Sequence, residues 1–226
     1  MEAAFFFFFT DSTPPASNWI LHQFGVQLRG NLDSDSIASL HSAKWDTTCG
    51  VPKEAIFVPS YAAFDFGRGV TATVDQQGFE LQQEIEAGDA AYPTAPKDRV
   101  LPLTRQLITL LDLRSVRSFA TQLRMIVPHP HPLELLAERY LKQAASKRAR
   151  HRLSTVRLTL GYPVDDGEFR VTLNAFGPTA VWKEPHLSVR AELAFGRLTR
   201  KRLIEIIANP KEYEDKSGDI LMALLG

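Results

Sequence analysis

The 226-residue chain predicts an α+β protein, a mostly antiparallel sheet with flanking helices, on three observations. Segments that alternate apolar and polar residues outnumber those with helical spacing. The alternating segments are joined by short turns rich in Gly, Pro and Asp, which suit antiparallel neighbours rather than parallel crossovers. The amphipathic helical segments lie between groups of strands rather than after every strand. With 44% apolar residues there is material for a core, and the composition reads as globular rather than disordered.

In order, "AAFFFFF" at 3–9 is too short to cross a bilayer, which takes about 20 apolar residues, and no basic region precedes it as in a signal peptide. It reads as a strand buried on both faces, or as a segment that enters a partner's groove. "WILHQFGVQL" at 19–28 sets Ile20, His22, Phe24, Val26 and Leu28 on one face, with His22 as a hydrogen-bonded core or boundary residue. Asp33 or Asp35 then caps a short helix through Ile37 and Leu40. "AIFV", "YAAFDF" and "GVTATVDQQGFELQQEI" form a meander, with Gly78 at a positive φ just before the return strand. "AGDAAYPTAPKD" at 87–98 has no period and reads as a connection, dividing the chain into an acidic, strand-rich half, 1–95, and a basic α+β half, 96–226. A single continuous domain is the other arrangement.

Pro102 fits the first position of a helix bearing Leu103, Leu107, Leu110 and Leu111. Phe119, Leu123, Met125 and Val127 lie on one face of a strand that "PHPHP" at 128–132 stops. A helix follows from 133 to about 149, with Glu134 and Glu138 early and its bases late, as the helix dipole prefers. "LSTVRLTLGYPVDDGEFRVTLNAF" at 153–176 is a hairpin turning between Pro163 and Gly167, and "HLSVRAELAF" at 186–195 is a third strand. Thr199 caps a helix through Leu203, Ile204 and Ile207, and Ser217 or Asp219 caps a last one. Both halves run strand, helix, meander, so two similar ferredoxin-like α+β units are a candidate plan, although no residue-level repeat supports duplication.

The sequence carries no phosphate-binding loop, dinucleotide fingerprint, HExxH, CxxC or GxSxG, so no catalytic residue, cofactor or metal is assigned. "FGRGVTA" reads as a turn. His129 and His131 with Glu134 are three of the groups a zinc site uses, but the alternating prolines favour a rigid connector. Asp165 and Asp166 read as solvated turn residues. Cys49 cannot form an intrachain disulfide, which points to a cytoplasmic or otherwise reducing intracellular compartment.

Charge supplies the remaining signal. The formal net charge is zero, yet residues 1–100 sum to minus seven and 101–226 to plus seven. Lys142, Lys147, Arg148, Arg150 and Arg152 form one basic group, and Arg197, Arg200, Lys201 and Arg202 form another. The second group starts a helix, where the dipole disfavours positive charge, so it calls for a phosphate, a partner's carboxylates or the chain's own acids. These nine residues are the candidate partner or phosphate contacts. Three functions fit: a non-catalytic subunit or adaptor docking into a larger assembly through a polarised surface, a protein partner or self-association being its counterpart; a protein bound to RNA or DNA backbone; and an enzyme with a dispersed site. The first fits the charge division best.

Overall fold

The structure is a computed structural model and describes residues 20–84, 96–140, 156–164, 166–178, 180, 183–209, 219–221 and 223–224. The Phe5–Phe9 run therefore lies outside the described residues. So does the whole first basic group, Lys142 to Arg152, with the second half of the helix expected at 133–149.

The strands are β1 (Ile20–Arg29), β2 (Glu54–Val58), β3 (Tyr61–Gly67), β4 (Val70–Asp75), β5 (Gly78–Glu84), β6 (Ser115–Val116), β7 (Ser118–Pro128), β8 (Arg157–Val164), β9 (Gly167–Phe176), β10 (His186–Phe195) and β11 (Leu198–Thr199). Among the described residues they are accompanied by the helices α1 (Ser34–Ser39), α2 (Pro96–Leu110), α3 (Pro132–Tyr140) and α4 (Arg200–Ala208), a 3-10 turn at Leu40–Ser42, and helical residues at 219–221 and 223–224. This is the α+β fold that the alternation predicts. One antiparallel sheet has the order β2-β3-β4-β5-β1-β7-β10-β9-β8, and a small second sheet pairs β11 with β6. Strands from before and after residue 95 meet at the β1–β7 pair, so the large sheet runs without a break through both halves of the sequence.

The two halves share a topology. In the first, β1 leads to α1 and a meander whose last strand, β5, returns beside β1; in the second, β7 leads to α3 and a meander whose last strand, β10, returns beside β7. A helix, α2 or α4, follows each meander. This is strand, helix, meander, helix, and it differs from the βαββαβ interleaving of a ferredoxin-like unit because the meander strands are joined directly, with no second helix between them.

The pleat sends alternate side chains to opposite faces. One face of the large sheet carries Phe24, Val26 and Leu28 of β1, Phe79 and Leu81 of β5, Leu123 and Met125 of β7, Val171 and Leu173 of β9, and Val189 of β10, all essentially buried. Ile37 of α1, Leu103 and Leu107 of α2, Leu136 of α3 and Leu203 and Ile207 of α4 belong to the same apolar cluster. The helices therefore cover this face. Complete burial of one such side chain contributes about 1.5–3 kcal/mol.

Three local readings are corrected. The helix expected to begin at Pro102 begins at Pro96, and Pro102 lies inside it. Pro96 takes the early position that suits a residue without an amide hydrogen, and Pro102 forgoes one bond to the carbonyl four residues back while the apolar stripe around it holds the helix on the sheet. His22 is exposed rather than at a core boundary, because the β1–β7 register slips between Leu21 and Gln23 and turns it outward. The connection expected over 87–98 ends earlier, since α2 already includes Lys97 and Asp98.

Candidate interaction face

The second face of the sheet follows from the same pleat. Register places Glu54, Ile56 and Val58 of β2 beside Asp65, Ala63 and Tyr61 of β3, then Thr71, Thr73 and Asp75 of β4 and Gln82, Glu80 and Gly78 of β5. Gln23, Gly25, Gln27 and Arg29 of β1 come next, followed by Arg124, Gln122, Ala120 and Ser118 of β7. Arg190 and Glu192 of β10, Arg170 and Glu168 of β9 and Arg157 of β8 complete it. None of the described helices packs its apolar residues here, and the side chains are mainly polar and partly exposed.

Charge on this open face is divided. Strands β2 to β5 contribute Glu54, Asp65, Asp75, Glu80 and Glu84 and no Lys or Arg; β7 to β8 contribute Arg124, Arg190, Arg170 and Arg157 with Glu192 and Glu168. The two ends also differ in how far they are neutralised. Arg170 lies 2.6 Å from Glu168 and 3.4 Å from Glu192, and Arg190 lies 2.9 Å from Glu192, so a ladder of alternating charge runs across β9 and β10. None of the five carboxylates at the acidic end has an ion pair among the described residues. Asp65 accepts from the Gly67 amide at 2.6 Å and Asp75 from the Gln77 amide at 2.7 Å, each closing a turn.

The second basic group is partly spent on the chain's own acids. Arg200 reaches Asp112 at 3.0 Å, and Arg202 reaches Asp166 at 2.9 Å and Glu205 at 3.6 Å. Those contacts are the reason for bases at the start of α4, a position that the helix dipole alone would disfavour. Arg197 and Lys201 are exposed and make no ion pair among the described residues. Every ion pair between described residues, including Arg114 with Asp112 at 3.5 Å, joins two members of the second half. No described ion pair neutralises one half against the other.

Beside the acidic end lies an apolar edge. Val51, Ile56, Val58 and Tyr61 account for four of the six large hydrophobic side chains exposed among the described residues; Ile56 is 64% and Val58 52% exposed. On its inner side β2 is anchored through Phe57, whose ring meets His41 at 5.1 Å and Phe64 at 5.5 Å in edge-to-face contacts, while Trp45 packs on Phe64 and Phe66. Pro59 and Ser60, at φ +66°, close the turn into β3.

Other candidate chemistry does not assemble among the described residues. No group of three or more His, Cys, Asp and Glu that could hold a metal is found there. His129 Nδ1 instead accepts the His131 amide at 3.1 Å, and His186 is buried with Phe176 stacked on it at 5.5 Å. The Cys49 thiol points at Asp46 Oδ2, 3.6 Å away, and Asp46 also accepts two bonds from Thr48, whose hydroxyl and amide hold its carboxyl below the usual carboxylate range. No helix among the described residues is long and apolar enough to cross a membrane.

Sequence reasoning marked basic residues and missed the acidic face. The signal was the strand alternation of 54–84, which puts Glu54, Asp65, Asp75, Glu80 and Glu84 on the face opposite the buried side chains. Comparison with family models finds no match, and comparison with curated proteins and with solved structures finds no significant one.

Proposed function

We propose that this protein is a non-catalytic subunit that docks into a larger assembly through the open, charge-polarised face of its nine-stranded sheet. The observation that carries the reading is the group of five carboxylates on β2 to β5, which have no ion pair among the described residues, whereas at the other end Arg170 and Arg190 are paired with Glu168 and Glu192. Carboxylates gathered on one face repel one another and raise the free energy of the isolated protein; a partner of opposite sign relieves that repulsion and gains a fast, oriented encounter. The single cysteine accords with a reducing compartment such as the cytoplasm.

Nucleic-acid binding is the weaker reading. A phosphate approaching α4 would have to displace Asp112 from Arg200 and Asp166 from Arg202, and the acidic end of the open face would repel it. Reversing charge at the acidic end with E80K/E84K, both exposed positions, tests the docking reading. The native complex should fall apart on a size-exclusion column while the variant remains folded. K147E/R148E/R150E tests the basic group in the same way. A native complex that survives both variants defeats the proposal.

A further inference from the structure

Among the described residues β2 has one neighbour, β3, so its outer side presents backbone amide and carbonyl groups with no sheet partner. Natural sheets blunt such edges with proline, with charge directed inward, or with a covering element, because an open edge templates another strand. Edge strand β8 carries Pro163 and Gly161. Strand β2 has no proline between Glu54 and Val58; instead it shows Ile56 and Val58 on the open face, next to Tyr61 and to Glu54 and Asp65. Phe57 pins the strand from below, so the edge is presented in a fixed conformation.

We infer that β2 is a strand-addition site, and that its occupant is an extended, basic peptide segment of a partner protein whose alternate apolar side chains cover Ile56, Val58 and Tyr61. The inference rests on the docking reading and names the partner's chemistry. Main-chain hydrogen bonds to the edge would supply affinity, and the side chains facing Ile56 and the carboxylates would supply selectivity. The sign of the occupant follows from complementarity, since Glu54 of β2 itself and Asp65, Asp75, Glu80 and Glu84 of the next three strands lie on the same face. A second copy pairing β2 with β2 would bring two acidic halves together, each of net charge minus seven over residues 1–100, and so fits less well.

The test uses the full chain and a synthetic peptide of about ten residues, enough to span β2, in which every second residue, those sharing a face, is by turns valine and lysine and the remainder are threonine. The peptide should slow hydrogen exchange at the amides of 54–58. Replacing its lysines by glutamate, N-methylating alternate peptide bonds, or introducing Ile56→Lys at this exposed position should each weaken binding by about tenfold or more. Raising the salt to about 1 M, where the Debye length is near 3 Å, should weaken it as well. Equal binding of the N-methylated peptide, protection confined to residues other than 54–58, or protection of β2 without peptide together with a doubled mass would each overturn the assignment, the last by giving the edge to a second copy. If E80K/E84K disrupts the native complex while the peptide leaves β2 untouched, docking through the open face stands and the edge assignment falls.

Discussion

Gly78 sits at φ +138° where β5 begins, and a Cβ added there would collide with the Leu28 carbonyl. Gly78→Ala should therefore destabilise the protein by about 1–3 kcal/mol, measured as a lower urea midpoint with an unchanged slope. The need for glycine is legible in the sequence, because a turn at Asp75–Gly78 between alternating runs requires a permissive backbone. Asp33 is another residue whose role the sequence carries: its carboxylate accepts the Ser36 amide at 2.6 Å as the cap of α1, a bond that holds the carboxyl below its ordinary range. Asp46 is held low in the same direction by Thr48. A carboxyl whose folded pKa is depressed contributes stability above its unfolded pKa and loses it as pH falls through the folded value. Both contributions should thus be complete at neutral pH and fade below about pH 4. D33N/D46N should lose less stability than the parent between neutral pH and that acid range, as read by urea melts across pH. What single residues do not disclose is a distant partner: nothing near Arg200 in sequence marks Asp112, which only the β11–β6 pairing brings alongside.

At the scale of elements, α4 shows what propensity and capping settle. Thr199 accepts the Arg202 amide at 3.2 Å, as the sequence predicts, and Leu203 and Ile207 turn into the core. Thr199→Ala should cost about 1 kcal/mol, seen as a lowered denaturation midpoint. Helix α2 shows the limit of such signals. Pro96 and Pro102 both satisfy the rule for an early helical proline, and only the packing of Val100, Leu101 and Leu107 selects the earlier start. Leu107→Ala, at a fully buried site, should destabilise by about 2–5 kcal/mol, well beyond the cap variant. Strand faces were legible from alternation at Phe24 to Leu28, Val70 to Val74 and Val171 to Ala175, since burial fixes which side points inward. Neighbours across a hairpin were legible as well, as with β8 and β9, but more distant ones were not. Alternation reports a face and is silent on whether β10 follows β9 outward or inserts between β9 and β7, a choice made by long-range pairing.

The whole molecule joins two halves of like topology into one sheet, with helices on one face and charge divided along the other. The charge split was visible in the sequence as a sum, but its location was not: Glu54, Asp65, Asp75, Glu80 and Glu84 come together only because the pleat puts them on the same side and the meander stacks their strands. Basic clusters attract notice because they are contiguous in sequence; a face built from every second residue of four strands does not. A partner on this open face would shield the backbone of β2 to β5 from solvent. Hydrogen exchange, compared residue by residue between the isolated protein and its native assembly, tests this most directly. Docking through the open face predicts slowed exchange concentrated in 54–84, foremost at β2, with α1 to α4 unchanged. Slowed exchange on the helices, with β2 to β5 exchanging as in the free protein, would contradict it.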